Sequence, residues 1–287
     1  MTKFLKWCKI ELVALKGGGN CRRIQNFLGV YPLFYFCYSK LMEKLIIGNW
    51  KCNPTSLNEA KKLFNLAKRG IKKIKNVEVV ICPPFSYLSL ISSFLVPRSS
   101  FKLGAQNCFW EEKGAFTGEI SPLMLKDLGC KYVIVGHSER RTLGETDEII
   151  NKKLKAVLKA KLTPILCIGE TAKERKKGKT FKVLRKQIKT ALNFPKYEIL
   201  NTKYLIVAYE PVWAIGTGKP CGIEEAREVR LFIKSILKNV PVLYGGSVTS
   251  KNGKDYLKGA DFDGLLIGGA SLKAKEFVKI IESISNS

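Results

Sequence analysis

Groups able to move protons stand at the ends of three apolar segments of this chain. Glu210 follows one such segment, and His137, the only histidine among the 287 residues, follows another. Lys51 lies two residues after Asn49 at the end of a third, so in an extended chain both side chains point to the same side. A carboxylate, an imidazole and an ammonium group can accept a proton, donate one and stabilise negative charge. These residues therefore suggest general acid–base catalysis.

Each of these residues also has an ordinary structural explanation. A strand-end glutamate or lysine is commonly a solvated charge, and a lone histidine is commonly a hydrogen-bonded core residue. The position of His137 beside Ser138 and Glu139, at the end of an apolar segment, favours a catalytic role instead. The catalytic hypothesis requires that all these side chains meet in one pocket.

The residues after Glu210 predict a loop that closes over a site. Pro211 fixes the backbone directly after the acid, and residues 216–219 read Gly-Thr-Gly-Lys, a mobile or anion-facing sequence. Trp213 and Ile215 add apolar bulk to a segment that would otherwise be polar. An ordinary loop between a strand and a helix is the alternative, but it does not explain these apolar side chains.

Two glycine pairs predict a phosphate site. Gly245-Gly246 and Gly268-Gly269 each follow an apolar segment near the end of the chain. Without side chains in the way, backbone N–H groups can approach an anion, and a helix start behind them adds partial positive charge.

The elements that must position these residues alternate regularly from Met42 onward. Short apolar segments, typical of buried strands, lie at 44–49, 77–82, 101–106, 132–136, 164–169, 204–209, 240–244 and 264–267. Segments of helical periodicity lie at 57–68, 87–95, 121–128, 146–160, 181–192, 223–237, 252–257 and 274–284.

Eight strand–helix repeats with strands apolar on both faces predict an α/β fold, a single (β/α)₈ barrel. Residues 42–287 match the ~250 residues usual for such a barrel. An open doubly wound sheet is the alternative, but its usual Gly-rich first turn is missing. In a barrel, strands seven and eight commonly carry the phosphate site, where the two glycine pairs stand.

Composition excludes several other classes of protein. The formal charge of +26 first suggests nucleic acid or a membrane surface, but the lysines recur at helical spacing throughout, as on solvated helix faces, and no base-stacking or zinc motif accompanies them. We therefore expect no nucleic-acid partner and no membrane association. The nine cysteines include no pair at metal-ligand spacing, which indicates reduced thiols in the cytoplasm and no metal.

Residues 1–41 differ from the rest of the chain. They hold seven basic residues and one acid, a run of three glycines and an aromatic patch too short to span a bilayer. We interpret them either as a disordered leader or as an artefact of the assigned start site. In the second case, translation begins at Met42. A plastid or mitochondrial transit peptide is the alternative.

The motifs together resemble one family, the triosephosphate isomerases. The resemblance runs from about Lys44 to the end of the chain, in the family's order. It is carried by residues 48–51, 105–107, 114–119, 135–141, 167–170, 208–219, 244–248 and 267–270.

This resemblance implies that the chain interconverts dihydroxyacetone phosphate and D-glyceraldehyde 3-phosphate, a step of glycolysis and gluconeogenesis, without a cofactor. Glu210 would be the general base, and a neutral His137 would polarise the carbonyl and shuttle protons between the oxygens. Lys51 would stabilise the enediolate and Asn49 would orient the substrate. Glu139 is expected to contact Lys51 from behind the substrate site, with Ser138 beside it.

The resemblance also implies which residues bind the phosphate, which form the hinges and latch of the loop, and which contact a partner. The phosphate would be held by backbone N–H groups of Gly216, Ser247, Gly268 and Gly269. Residues 211–213 and 219–221 would be the hinges of the loop, latched by Tyr244 and Ser247. The loop 107–119 would insert into a second copy of the chain, with Thr117 near the partner's catalytic residues and Cys52 close to the interface.

Two departures from the family pattern stand out. Pro220 occupies the second hinge, where it removes an N–H and fixes φ. The segment after Arg141 is one residue shorter than usual, near the helix start expected at His137.

Two alternative functions remain. The first is a paralogue that acts on another phosphorylated sugar, and the second is a catalytically idle barrel used as a scaffold. The joint retention of the site residues argues against the second.

Overall fold

The computed structural model of the protein describes residues 44–71, 76–95, 101–194 and 204–285. Within them, eight parallel strands close into a barrel in chain order, with the last strand paired to the first. The predicted (β/α)₈ barrel is confirmed and the open sheet is wrong, since closure leaves no edge strand. The predicted extension, residues 1–41, lies outside the described residues, so its boundary stays a prediction.

The strands are β1 (Lys44–Asn49), β2 (Val77–Cys82), β3 (Phe101–Ala105), β4 (Cys130–Val135), β5 (Thr163–Ile168), β6 (Ile206–Tyr209), β7 (Val242–Tyr244) and β8 (Gly264–Ile267). The α-helices are α1 (Leu57–Gly70), α2 (Leu88–Ser93), α3 (Pro122–Asp127), α4 (Ser138–Thr142), α5 (Asp147–Lys159), α6 (Ala172–Lys176), α7 (Thr180–Ala191), α8 (Ile223–Ile236), α9 (Gly253–Lys258) and α10 (Ala274–Ser285).

Element boundaries differ from the prediction by a few residues. Five strands, β3 to β7, begin or end one or two residues from the predicted positions. Helix α6 was not predicted, and only the start of α4, at His137, was expected, because five residues are too few to show helical periodicity. Their starts depend instead on side-chain caps: at α6, Thr171 and Glu174 form a reciprocal capping box.

The strands are apolar on both faces because both faces are buried. On β1, Ile47 belongs to a cluster inside the barrel with Val80 and Cys82, whereas Ile46 belongs to the layer between strands and helices. Phe277 of α10 lies in that outer layer and is fully buried. Burying such side chains stabilises the fold by roughly 1.5–3 kcal/mol each, so the barrel is a rigid support for what lies at its rim.

Parallel pairing all round the barrel puts the carboxyl ends of the eight strands at one rim. The residues that follow β1, β4, β6, β7 and β8 therefore face a common space, although they are far apart in the sequence. Among the described helices, none combines the length and the apolar character needed to cross a bilayer.

Candidate active site

A cavity of about 530 Å³ opens at the carboxyl ends of the strands. The sequence predicted eight residues that act on a substrate or bind one, and all eight line this cavity: Asn49, Lys51, His137, Glu210, Gly216, Ser247, Gly268 and Gly269. The barrel thus brings together the groups that the catalytic hypothesis required in one pocket.

Glu210 and His137 meet inside this cavity. Glu210 is 1% exposed, and its Oε1 lies 3.1 Å from Nε2 of His137. The other carboxylate oxygen, Oε2, accepts a hydrogen bond of 2.9 Å from the backbone N–H of Ser138. Oε1 accepts no hydrogen bond from the described residues. Nε2 of His137 is close enough to donate one, but its N–H does not point towards Oε1. A buried carboxylate oxygen is thus available to take a proton.

His137 is held in one orientation by the helix that it starts. It is the N-cap of α4, and its Nδ1 accepts a hydrogen bond of 3.2 Å from the backbone N–H of Glu139. Because Nδ1 acts as an acceptor, the neutral ring carries its proton on Nε2, the nitrogen that faces Glu210. The ring can therefore donate from Nε2 into the cavity.

Lys51 reaches the cavity through an unusual backbone conformation. Its φ of 54° lies in the left-handed region, and its N–H donates a 3.0 Å hydrogen bond to the side-chain oxygen of Asn49. Its Nζ lies 2.5 Å from Oε1 of Glu139, the contact expected from the sequence. Gly268 makes room for it, because a Cβ there would lie 3.0 Å from Cε of Lys51.

The predicted closing loop is tied down at both ends. At the first end, Ser247 Oγ donates a 2.7 Å hydrogen bond to the carbonyl of Ala214. At the second, the N–H of Cys221 donates to the Tyr244 hydroxyl over 3.1 Å. Burial raises the pKa of the Tyr244 phenol, so this hydroxyl stays protonated. Both predicted latch residues thus contact the loop.

Comparison with known proteins agrees with this geometry. A family model described as triosephosphate isomerase matches residues 44–284. The chain belongs to the triosephosphate isomerase family. It is similar to a triosephosphate isomerase of Endomicrobium trichonymphae, with 46% identity over 251 residues that cover 84% of this chain and 99% of the relative. Identity to one from Aquifex aeolicus strain VF5 is 45% over 251 residues, covering 84% and 100% of the two chains.

Glu170, to which the sequence analysis gave no role, contacts the closing loop of this triosephosphate isomerase family member. It follows β5, is fully buried, and accepts hydrogen bonds from Trp213 Nε1 (3.0 Å) and the Tyr209 hydroxyl (3.3 Å). Burial and the neighbouring carboxylate raise the pKa of Tyr209, so its hydroxyl remains a donor. The signal was that Glu170, like Glu210, closely follows the end of a buried strand.

Gly169 was also missed, and here the absence of a side chain is required. A Cβ at this position would lie 1.7 Å from the carbonyl oxygen of Glu210. Gln187 of α7 holds the Gly169 peptide from behind, accepting from its N–H at 2.9 Å and donating to its carbonyl at 3.0 Å. The backbone of Glu210 therefore lies directly against Gly169.

The shortened segment after Arg141 leaves α4 intact. Gly144 closes the turn with a φ of 97°, and Glu145 behind it pairs with Arg140 and with the buried Lys153, each at 2.7 Å. Burial raises the pKa of Glu145, but hydrogen bonds from Lys153 and Arg140 outweigh that effect and hold it below its usual value. The ion pairs anchor the end of α4 that lies opposite His137.

Two predicted residues stand away from the cavity. Thr117 and Cys52 are exposed and do not line it, and their predicted places near a partner stay a prediction. Among the residues that the structure describes, no three His, Cys, Asp or Glu side chains cluster as metal ligands would.

We expect Gly169→Ala to lower the free energy of unfolding by about 3 kcal/mol. This is the upper end of the usual range for adding atoms to a packed core, because the backbone of Glu210 cannot easily move away. Urea unfolding at equilibrium measures this. Gly222→Ala is the matched control, since a Cβ there meets its nearest neighbour at an ordinary 3.4 Å. Equal stabilities of the two variants would contradict the close approach.

Proposed function

We propose that this chain interconverts dihydroxyacetone phosphate and D-glyceraldehyde 3-phosphate by proton transfer through an enediolate. The observation that carries the proposal is the buried Oε1 of Glu210, free of hydrogen bonds from the described residues and 3.1 Å from His137 Nε2. Membership of the triosephosphate isomerase family supports it. The reaction is a step of glycolysis and gluconeogenesis.

The proton moves between two adjacent carbons of the substrate. Glu210 takes it from one carbon and returns it to the other, as a general base and then a general acid. His137 donates from Nε2 to the carbonyl oxygen as negative charge develops there and carries protons between the two oxygens. Lys51 adds fixed positive charge, and its pairing with Glu139 limits where its ammonium group can go.

The phosphate is bound at the side of the cavity formed after β7 and β8. Backbone N–H groups of Gly216, Ser247, Gly268 and Gly269 serve as donors in this proposal. A short 3₁₀ helix begins at Gly269, so its first N–H groups are available to an anion. Lys273 lines the same part of the cavity and adds positive charge.

Closure of the loop keeps water from the intermediate. An enediolate next to a phosphate ester loses phosphate when it is exposed, so the loop must shut before the proton moves. Gly216 and Gly218, with φ of 69° and 71°, give the loop backbone conformations that other residues rarely adopt. Residues 211–213 and 219–221 are the hinges, with Pro220 limiting φ in the second.

Replacing the base tests this mechanism. We expect Glu210→Gln to lower kcat by about 10²–10⁴, the usual contribution of a general base, because the amide keeps the shape but cannot take the proton. A coupled assay of triose phosphate interconversion measures it, with Glu210→Ala as a second variant. Glu224→Gln, on the exposed surface, is the control and should leave the rate unchanged. Equal rates for Glu210→Gln and the unmodified chain would rule out Glu210 as the base.

We further propose that the chain works as a homodimer in the cytoplasm. Exposed apolar side chains near the loop 107–119 support the dimer, among them Phe85, Phe116 and Met124. In this arrangement Thr117 approaches the partner's Lys51 and the partner's His137, and Cys52 lies near the interface. Six free cysteines among the described residues agree with a reducing compartment.

A charge placed in this apolar surface should separate the two copies. We expect Phe116→Asp to shift the chain from dimer to monomer at micromolar concentration in analytical ultracentrifugation, since burying an unpaired carboxylate is costly. Leu231→Asp is the matched control, because Leu231 is a similarly exposed apolar residue on α8. A monomeric unmodified chain, or a Phe116→Asp variant as dimeric as the control, would overturn the proposed interface.

A further inference from the structure

Arg175 of α6 contacts Trp213 at the first end of the closing loop and Glu225 of α8, which follows the second end. We propose that Arg175 is a positioning residue that couples the two hinges, so that the loop moves as one unit. This inference rests on the proposed isomerase function, because it concerns the loop that covers the same site. One guanidinium group makes three contacts that link the two hinges.

Two of these contacts reach the first hinge. Nη1 of Arg175 lies 3.2 Å from Oε1 of Glu170, and the same oxygen accepts the 3.0 Å hydrogen bond from Trp213 Nε1. The guanidinium carbon also lies 4.4 Å from the centre of the Trp213 ring. Arg175 therefore holds Trp213 both through Glu170 and by stacking on its face.

The third contact leads to the second hinge through Glu225. Nη2 of Arg175 lies 2.8 Å from Oε1 of Glu225, in the first turn of α8. The other oxygen of Glu225 accepts a weak hydrogen bond of 3.6 Å from the thiol of Cys221. Cys221 is the last residue of the second hinge and donates its N–H to Tyr244.

The geometry of arginine is what makes this coupling possible. A guanidinium group has rigid N–H arms that point in different directions, so one arm can bind Glu170 while another binds Glu225. The connection therefore runs from Trp213 through Glu170, Arg175 and Glu225 to Cys221. A lysine at this position would carry the charge but could not hold both carboxylates and stack on the ring at once.

A loosened loop has a chemical signature besides a slower rate. In the exposed enediolate, the oxyanion forms a carbonyl and the pair of the carbon–carbon double bond shifts toward the carbon that bears the phosphate. The bond between that carbon and the ester oxygen breaks, and phosphate leaves with the electron pair. The enol that remains becomes methylglyoxal by proton transfer. Phosphate released per isomerisation thus reports how well the loop stays closed.

The test compares Arg175→Met with Arg185→Met. Arg185 is a matched control, because its guanidinium carbon lies over the Phe232 ring at 5.0 Å on the outer helices, away from the loop. For Arg175→Met we expect kcat/KM to fall about tenfold. This loss is near the lower end of the free energy that hydrogen bonds to charged groups contribute, because Arg175 is partly exposed to solvent. Phosphate released per isomerisation should rise several-fold, and Arg185→Met should leave both quantities unchanged. Both quantities for Arg175→Lys should lie between those of Arg175→Met and Arg185→Met. Arg175→Lys also tests the inference if Arg175→Met does not fold.

A double-mutant cycle with Glu225→Gln separates coupling from simple destabilisation. Glu225→Gln alone should lower kcat/KM less than Arg175→Met does, and it should have no further effect when Arg175 is already methionine. Additive effects, or an active Arg175→Met with unchanged phosphate release, would overturn the inference and leave the proposed function standing. An unmodified chain without isomerase activity would overturn the proposed function and this inference with it.

Discussion

The structure depends on keeping one carboxylate, that of Glu210, buried beside an imidazole without satisfying both of its oxygens. Burying a charge with an unpaired oxygen is unfavourable, so the surroundings must hold it in place. A single backbone donor, the N–H of Ser138, fixes Oε2, and Gly169 lets the backbone of Glu210 lie against its own. Gly245 also leaves room, since a Cβ there would lie 3.0 Å from Cγ of Glu210. The fold thus holds a buried carboxylate with one oxygen that accepts no hydrogen bond from the described residues.

The barrel makes this arrangement rigid. β5 lies between β4, which leads to His137, and β6, which leads to Glu210, and it pairs with both in continuous parallel register. The N–H of Glu210 donates a 2.8 Å hydrogen bond to the carbonyl of Ile168 at the end of β5. Because the sheet closes on itself, neither strand end can shift without disturbing the ring. A distance of about 3 Å between two side chains can be held only on such a support.

Much of the fold and of the cavity was predictable from the sequence because the signals were local. Apolar segments alternating with helical periodicity identified the strands, and three strand ends carried residues able to move protons, among them the single histidine. The residues missed are those whose role depends on contacts across the barrel. Nothing near Gly169 in the sequence indicates that its missing Cβ makes room for Glu210. Likewise, no periodicity reveals that Glu170 receives Trp213 from another strand end.

The short helix α4 is a second feature that the sequence alone could not predict. The sequence predicted a segment after Arg141 one residue shorter than usual and left the start of this helix open, because spacing alone does not show how such a turn closes. The structure closes it with Gly144 in a left-handed conformation and with the buried pair of Glu145 and Lys153. His137 caps the opposite end of α4, where its Nδ1 accepts a hydrogen bond from the N–H of Glu139.

The central claim is that the reaction moves a proton through a side chain, which can exchange that proton with water. Isomerisation in D₂O, followed by NMR of the product, tests it most directly. The account predicts deuterium on the carbon that gains hydrogen, because Glu210 exchanges its proton before returning it. A product that keeps the original hydrogen completely, at every extent of conversion, would indicate direct transfer between the two carbons and would contradict the account.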